Sequence, residues 1–148
     1  MINDMLEVIG KAAFMDTPLD TVTLHEDSML QEIHPGAFKN TNIKEFFIPS
    51  DVQTLAYSEI IPSLGSNSVY HYGVFTGSDL ETVTFAEDST LTHIGPWTFA
   101  NTNLESIDFP ETIESIGDFA FKNTFVESIA LPAYEMKILS LSENTFSH

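Results

Sequence analysis

The apolar residues of this chain recur with a spacing that fits neither a helix nor a strand. Between positions 91 and 110 they stand at Leu91, Ile94, Phe99, Leu104, Ile107 and Phe109. An amphipathic helix would alternate steps of three and four residues, and a strand would step by two throughout. Because the same irregular spacing returns along the whole chain, we interpret each occurrence as one coil of a repeat structure.

Each coil can be aligned on one large apolar residue, which we call its anchor. The anchors are Phe14, Phe38, Ile60, Phe75, Phe99, Phe121 and Phe146, with Ile60 the weakest match. After most anchors, the residues five, eight and ten positions later are apolar, as at Leu104, Ile107 and Phe109. A second pattern, apolar-x-x-apolar-x-x-x-x-Phe, precedes most anchors, as in LTHIGPWTF.

Two parts of a coil predict its local structure. The stretches LETVTF and LESIDF alternate after their anchors in the manner of short strands. One such strand cannot bury its apolar side alone, so stacked coils should pair their strands in parallel over a shared core. The segments GPWTFANT and GDFAFKNT predict a single helical or 3₁₀ turn. We expect Asn40, Asn101 and Asn123 to satisfy turn backbone groups between coils.

One segment departs from the repeat. Residues 61–74 separate two anchors by an unusually short interval and contain the turn residues GSNS followed by YHY. This segment is an irregular short coil or a surface loop, and as a loop it would offer Tyr70, His71 and Tyr72 for binding. We expect residues 1–148 to form a single domain of about six coils.

The composition limits the partners. The chain has 22 Asp and Glu against 5 Lys and Arg, a formal net charge of -17. Binding to nucleic acid or to an anionic membrane surface needs basic residues, so we expect neither. No apolar run approaches the length of a membrane span, so we do not expect membrane insertion. The absence of cysteine excludes disulfides and thiolate metal sites.

Two groups of carboxylates are candidate cation sites. Glu81, Glu105 and Glu127 occupy one repeat position, which stacked coils would place about 5 Å apart, so they form a weak Ca²⁺ candidate. The second group comprises Glu26, Asp27, Asp51, Glu87, Asp88 and Glu111. Solvated acidic edges screened by salt are the preferred interpretation of both groups. We therefore predict no metal and no cofactor.

The sequence lacks the residue patterns of an enzyme. Its five histidines have no zincin spacing, and it contains neither a Gly-rich phosphate loop nor a nucleophile elbow. With 22 acidic residues, a pair suited to glycoside hydrolysis carries no information. We interpret Trp97 as a packing residue and not as a sugar platform. We predict that the protein is not an enzyme.

The repeat resembles the BspA-like leucine-rich repeats, also called the Treponema pallidum type. The family pattern L-x-x-I-x-I-P-x-x-V-x-x-I-G-x-x-A-F-x-x-C is matched by LESIDFPETIESIGDFAFKNT from Leu104 and by IGKAAF from Ile9. The resemblance covers nearly the whole chain. This sequence differs at the Cys position, where Thr17, Thr41, Ser78, Thr102 and Thr124 stand instead.

The resemblance implies a leucine-rich repeat fold of the α/β class. Such a fold is a right-handed solenoid with a parallel β-sheet on its concave face and short helical or 3₁₀ turns on the convex side. Outward residues of the sheet would then bind the ligand, with Phe47 as a candidate hot spot. These positions are Thr21, Thr23, Glu45, Phe47, Thr82, Thr84, Ser106, Asp108, Ser128 and Ala130.

Two functions are compatible with this resemblance. The leading one is a cell-surface or secreted protein-binding module that acts in adhesion or host interaction, with a host or matrix protein as ligand. The alternative is a structural spacer or self-associating segment of a larger surface protein. Because Phe146 is followed by no polar cap, we expect either a further coil or a homodimer through this C-terminal coil.

Overall fold

Short parallel strands, one in each coil, form the main sheet of the protein. The computed structural model describes residues 3–56, 73–129, 140–141 and 145–146. The strands of this sheet are β1 (Val8–Ile9), β2 (Glu32–Ile33), β4 (Thr54–Leu55), β6 (His93–Ile94), β7 (Ser115–Ile116) and β8 (Ser140–Leu141). They pair in the order β1-β2-β4-β6-β7-β8. A second, two-stranded parallel sheet joins β3 (Glu45–Ile48) to β5 (Thr82–Phe85).

The six-stranded sheet is built from the segments that precede the anchors. Its register aligns equivalent buried residues, so that Leu55 lies beside Ile94 and Ile94 beside Ile116. The alternation of apolar residues predicts strands after the anchors instead, which is wrong for this sheet. In that region the described residues form strands only at β3 and β5, with one isolated bridge at Asp108. The strands that precede the anchors are too short to show the alternation on which the prediction relied.

The anchor phenylalanines stack along one line through the core. Successive ring centroids from Phe14 to Phe38, Phe75, Phe99, Phe121 and Phe146 lie 5.4, 5.6, 5.8, 5.4 and 5.4 Å apart. Phe38 contacts Phe75 directly, so there is no place in the stack for an anchor between them. The anchor assigned to Ile60 lies outside the described residues, and Phe75 closes the coil that contains β4. We number the coils 1 to 6 by these six phenylalanines.

Turns, and not helical turns, surround the anchors. No helix is present among the described residues, which corrects the expectation of helical or 3₁₀ turns. Nine described residues that stand two positions before or after an anchor have positive φ, between 54° and 72°, namely Ala12, Asp16, Gly36, Asn40, Gly77, Trp97, Asn101, Phe119 and Asn123. A right-handed helix cannot pass through such residues, because each reverses the sign of φ.

This turn geometry lets the backbone bond both within and between coils. The N–H of Phe99 donates to the carbonyl of Ala120 in the next coil at 2.9 Å. The N–H of Ala100 donates instead to the carbonyl of Trp97 in its own coil at 3.1 Å. Because these two directions alternate along the turn, buried backbone groups are satisfied without a helix.

Two further apolar rows complete the core on the side of β3 and β5. Ile43, Leu80 and Leu104 are fully buried five positions after their anchors. Beside them, the Phe46 ring meets the Phe75 ring edge-on at 4.8 Å. Val83 is buried and Thr82 and Thr84 are exposed, which confirms the predicted alternation of this strand.

Candidate binding face

The outward side chains of β3 and β5 lie next to each other on the protein surface. The register of the two strands places Glu45 beside Thr82 and Phe47 beside Thr84. We define the β3–β5 face as the outward residues at these repeat positions, namely Thr21, Thr23, Glu45, Phe47, Thr82, Thr84, Ser106, Asp108 and Ser128. All of them are exposed except Phe47, which is half-buried, and Ala130 lies outside the described residues. The face is therefore mostly short and polar.

Phe47 combines an exposed part with a packed part. It packs against the buried core cluster while the rest of its side chain faces solvent. The structure places Phe47 between full exposure and full burial. A half-buried aromatic ring among polar residues has little conformational freedom left to lose and still exposes apolar area. Both properties suit an interface anchor.

A groove of about 740 Å³ runs alongside β5. Its polar lining includes outward residues of the β3–β5 face and the carboxylates of Glu81, Glu87, Asp108 and Glu111. Phe85 and Phe109 also line it, with ring centroids 6.3 Å apart. In the sequence, Glu87 and Glu111 stand out only as members of an acidic cluster. Nothing in the sequence marks this groove, because it depends on how far two successive coils lie apart.

The acidic row proposed for Ca²⁺ contains a lysine. Glu81, Glu105 and Glu127 are all exposed. Lys44 occupies the equivalent position one coil earlier, and its Nζ lies 3.1 Å from Oε1 of Glu81. Within the part of the chain that the structure describes, no three Asp, Glu, His or Cys side chains are grouped closely enough to hold a metal ion. The Lys44 ammonium offsets part of the repulsion in this row.

Threonine hydroxyls follow four of the anchors at the family's cysteine position. Thr17, Thr41, Thr102 and Thr124 each donate to the carbonyl oxygen of the anchor three residues earlier, at 2.7, 2.9, 2.7 and 2.8 Å. Ser78 differs, because its buried Oγ has no hydrogen-bond partner. These residues support the turns from inside the protein and do not belong to a surface site.

The asparagines near the anchors bond to side chains of the neighbouring coil. Nδ2 of Asn123 donates to Oδ1 of Asn101 at 2.8 Å, and Nδ2 of Asn40 donates to Oδ1 of Asp16 at 2.7 Å. The sequence predicts turn backbone groups as their partners instead. The observed side-chain bonds run across coils and, together with the positive φ of these residues, explain why asparagine stands there.

Trp97 packs on the turn side of coil 4. Its ring centroid lies 4.6 Å from that of Phe119, and Nζ of Lys122 lies 5.2 Å from the Trp97 centroid. Trp97 is half-buried in this arrangement, in agreement with its interpretation as a packing residue.

The described histidines make exposed contacts. Nε2 of His34 lies 2.6 Å from Oε2 of Glu32, and Nδ1 of His93 lies 2.6 Å from Oγ1 of Thr92. Nδ1 of His25 lies 3.8 Å from Oδ2 of Asp4. None of these three contacts forms a nucleophile–base–carboxylate arrangement. His71 and His148 lie outside the described residues.

Stacked coils with parallel strands and a line of anchor residues define a leucine-rich repeat structure. The sequence model described as the BspA type leucine rich repeat region matches residues 1–60 and 67–148, in six copies. The chain therefore belongs to the BspA-type leucine-rich repeat family. No curated protein and no solved structure matches the chain.

Family membership also indicates a general role. Leucine-rich repeat domains of this type are generally protein-binding modules and are typically non-catalytic. In the described part of the chain, no helix is both long enough and apolar enough to span a membrane.

Proposed function

We propose that this chain is a protein-binding module and that its ligand docks on the β3–β5 face. The observation that carries the proposal is the repetition of exposed, short polar side chains at equivalent positions of successive coils, from Thr21 to Ser128. Such a repeated surface can cover a broad area of a folded partner. Family membership supports the same role.

We also propose a finer role. We infer that the β3–β5 face is the concave side of a right-handed solenoid and that the protein acts at the cell surface or outside the cell. Its ligand would be a host or matrix protein, and its role adhesion or host interaction. The support for this is that BspA-type repeat proteins are often surface proteins.

Phe47 is the residue from which most binding energy is expected. Aromatic anchors surrounded by polar residues commonly dominate the energy of an interface, because the surrounding contacts exclude water. Thr84 lies directly beside Phe47 in the strand register, so a long charged side chain at Thr84 would block access to that ring.

The test is binding to a panel of purified extracellular-matrix proteins, measured by biolayer interferometry. Thr84→Arg should weaken binding to any ligand found by about tenfold or more, because a buried, unpaired charge is costly in an interface. Gln53→Arg is the matched control, since it adds the same charge at an exposed site beside β4. Equal effects of the two variants, or loss of binding by Gln53→Arg alone, would contradict the proposal.

Self-association is a second candidate, and one observation favours it. Apolar side chains are exposed around coil 1, with exposed fractions of 70% at Met5, 41% at Val8 and 39% at Met29. Phe146 in coil 6 is also exposed, so coil 1 of one copy and coil 6 of another offer apolar surfaces that can meet. Light scattering over a concentration series tests this, with Val8→Glu expected to prevent assembly. A monomer at every concentration would exclude it.

A further inference from the structure

We propose that the groove beside β5 binds an extended, basic peptide segment, whose lysine or arginine side chains reach the carboxylates that line it. This inference rests on the proposed function of the β3–β5 face and names the chemistry of the partner at that face.

The groove opens where strand pairing stops. β3 and β5 form a continuous ladder of four residue pairs, from Glu45 beside Thr82 to Ile48 beside Phe85. The next coil offers β5 no strand, since residues 106–109 contain only the isolated bridge residue Asp108. On the other side of the same coils, β4, β6 and β7 pair without interruption. β5 is therefore an edge strand beside an open groove, a position that suits an added extended segment.

The charge of the groove selects the kind of segment. Four carboxylates line it, at Glu81, Glu87, Asp108 and Glu111, and its lining includes no lysine. Lys44 pairs with Glu81 at one end. Within the described ranges, Glu87, Asp108 and Glu111 have no cationic side chain within 4.0 Å. Negative charge in a cleft is focused by its low-dielectric walls, so this groove attracts cationic groups from solution.

The apolar part of the lining favours a peptide over a bare ion. The half-buried rings of Phe85 and Phe109 lie 6.3 Å apart in the groove. A lysine or arginine side chain can lay its methylene stem on such rings while its charged end reaches a carboxylate. Hydroxyls of Thr82, Thr84 and Ser106 stand on the same lining and can accept or donate hydrogen bonds to a peptide backbone. A metal ion would use the carboxylates alone.

The test uses fluorescence anisotropy with a short labelled peptide of alternating lysine and serine, and with the corresponding glutamate–serine peptide. The groove variant combines Glu87→Gln, Asp108→Asn and Glu111→Gln. The matched control combines Asp20→Asn, Glu26→Gln and Asp27→Asn, which removes the same number of exposed charges from coil 1. Thermal melting of both variants verifies that they are folded.

We expect the wild-type protein to bind the lysine peptide and not the glutamate peptide. The groove variant should weaken binding by about tenfold or more, whereas the control variant should stay within about threefold. Equal weakening by the two variants would overturn the inference, because it would show attraction by net charge alone. The inference would also be overturned if spermine displaced the labelled peptide as effectively as unlabelled peptide does.

Failure of this inference is distinguishable from failure of the proposed function. Suppose that a matrix protein binds the wild-type protein, that Thr84→Arg abolishes this binding and that the groove variant leaves it unchanged. The face then binds protein, but the groove does not select basic segments. If no variant of the β3–β5 face changes binding of the matrix protein, the proposed function itself is wrong.

Discussion

Phe38 and Phe75 stack with nearly parallel rings, with centroids 5.6 Å apart and an angle of 9° between the ring planes, although residues 57–72 separate β4 from Phe75 in the sequence. In the other coils the second residue of the main-sheet strand precedes its anchor by five positions, as Ile94 precedes Phe99. In coil 3 that residue is Leu55 and the anchor is Phe75. The sequence between these two positions is therefore 15 residues longer in coil 3 than in the other coils.

Deleting residues 57–71 restores the regular spacing, since it places Leu55 five positions before Phe75. We expect the shortened protein to keep the stack and to melt within a few degrees of wild type, because closing the chain over 15 fewer residues changes the closure entropy only slightly. Far-UV circular dichroism during heating measures this. Deletion of 87–101, which removes β6 and Phe99, should abolish the cooperative transition. If the 57–71 deletion does the same, the segment contributes to the fold.

Phe75 lies in the centre of the stack and should be among the most sensitive positions. It is fully buried between Phe38 and Phe99 and meets Phe46 edge-on. Phe75→Ala should lower the free energy of unfolding by about 3–5 kcal/mol, through lost burial and the cavity left behind. Urea denaturation measures the change. Phe125→Ala, at a side chain that is 65% exposed, should change it by less than about 0.5 kcal/mol. Similar losses at both sites would show that the stack does not stabilise the fold.

Much of the fold follows from the sequence because burial fixes it. The anchor spacing predicted that Phe14, Phe38, Phe99 and Phe121 would share one line, and the structure confirms it. The alternation around Val83 predicted correctly which side chains would face solvent. Both predictions depend only on which side chains are buried, and the spacing of apolar residues in the sequence indicates this directly.

The remaining features depend on relations between coils that one coil's sequence does not contain. One such feature is that the continuous sheet forms from the segments before the anchors. Another is that strand pairing stops beside β5. The sequence contains a signal against the expected helical turns, because glycine stands at two positions of positive φ, Gly36 and Gly77. At the position equivalent to Gly36, Trp97 and Phe119 adopt the same backbone conformation, which their bulk gives no reason to predict.

Ser78 and Thr102 occupy the same repeat position but should respond to hydroxyl removal with opposite sign. Oγ1 of Thr102 donates to the Phe99 carbonyl at 2.7 Å, whereas the buried Oγ of Ser78 has no partner. Thr102→Val should destabilise the protein by about 1 kcal/mol, through the lost hydrogen bond. Ser78→Ala should be neutral or stabilise by up to about 1 kcal/mol, because it removes an unsatisfied polar atom. Chemical denaturation of both variants decides the matter, and a loss at Ser78 as large as that at Thr102 would show that its hydroxyl is satisfied in solution.

Substitutions at Asn101 can separate the free-energy cost of a left-handed backbone conformation from the contribution of its side-chain hydrogen bond to Asn123. The φ of Asn101 is 56°, and its Oδ1 accepts the bond from Asn123. Asn101→Gly removes the bond but tolerates the positive φ, so it should cost about 0.5–1 kcal/mol, the net value of one hydrogen bond. Asn101→Ala removes the bond and also places a β-carbon in a left-handed conformation, which should add about 1–2 kcal/mol.

The difference between these two variants, measured by urea denaturation, is therefore the strain that asparagine and glycine avoid at this position. Asn103→Ala serves as the control, because Asn103 is exposed and has no positive φ; it should change stability by less than about 0.5 kcal/mol. If the alanine and glycine variants of Asn101 are equally stable, the left-handed turn is not a constraint on this residue. The inter-coil bond to Asn123 would then be the only reason for asparagine there, and Asn123→Ala should cost as much as either variant.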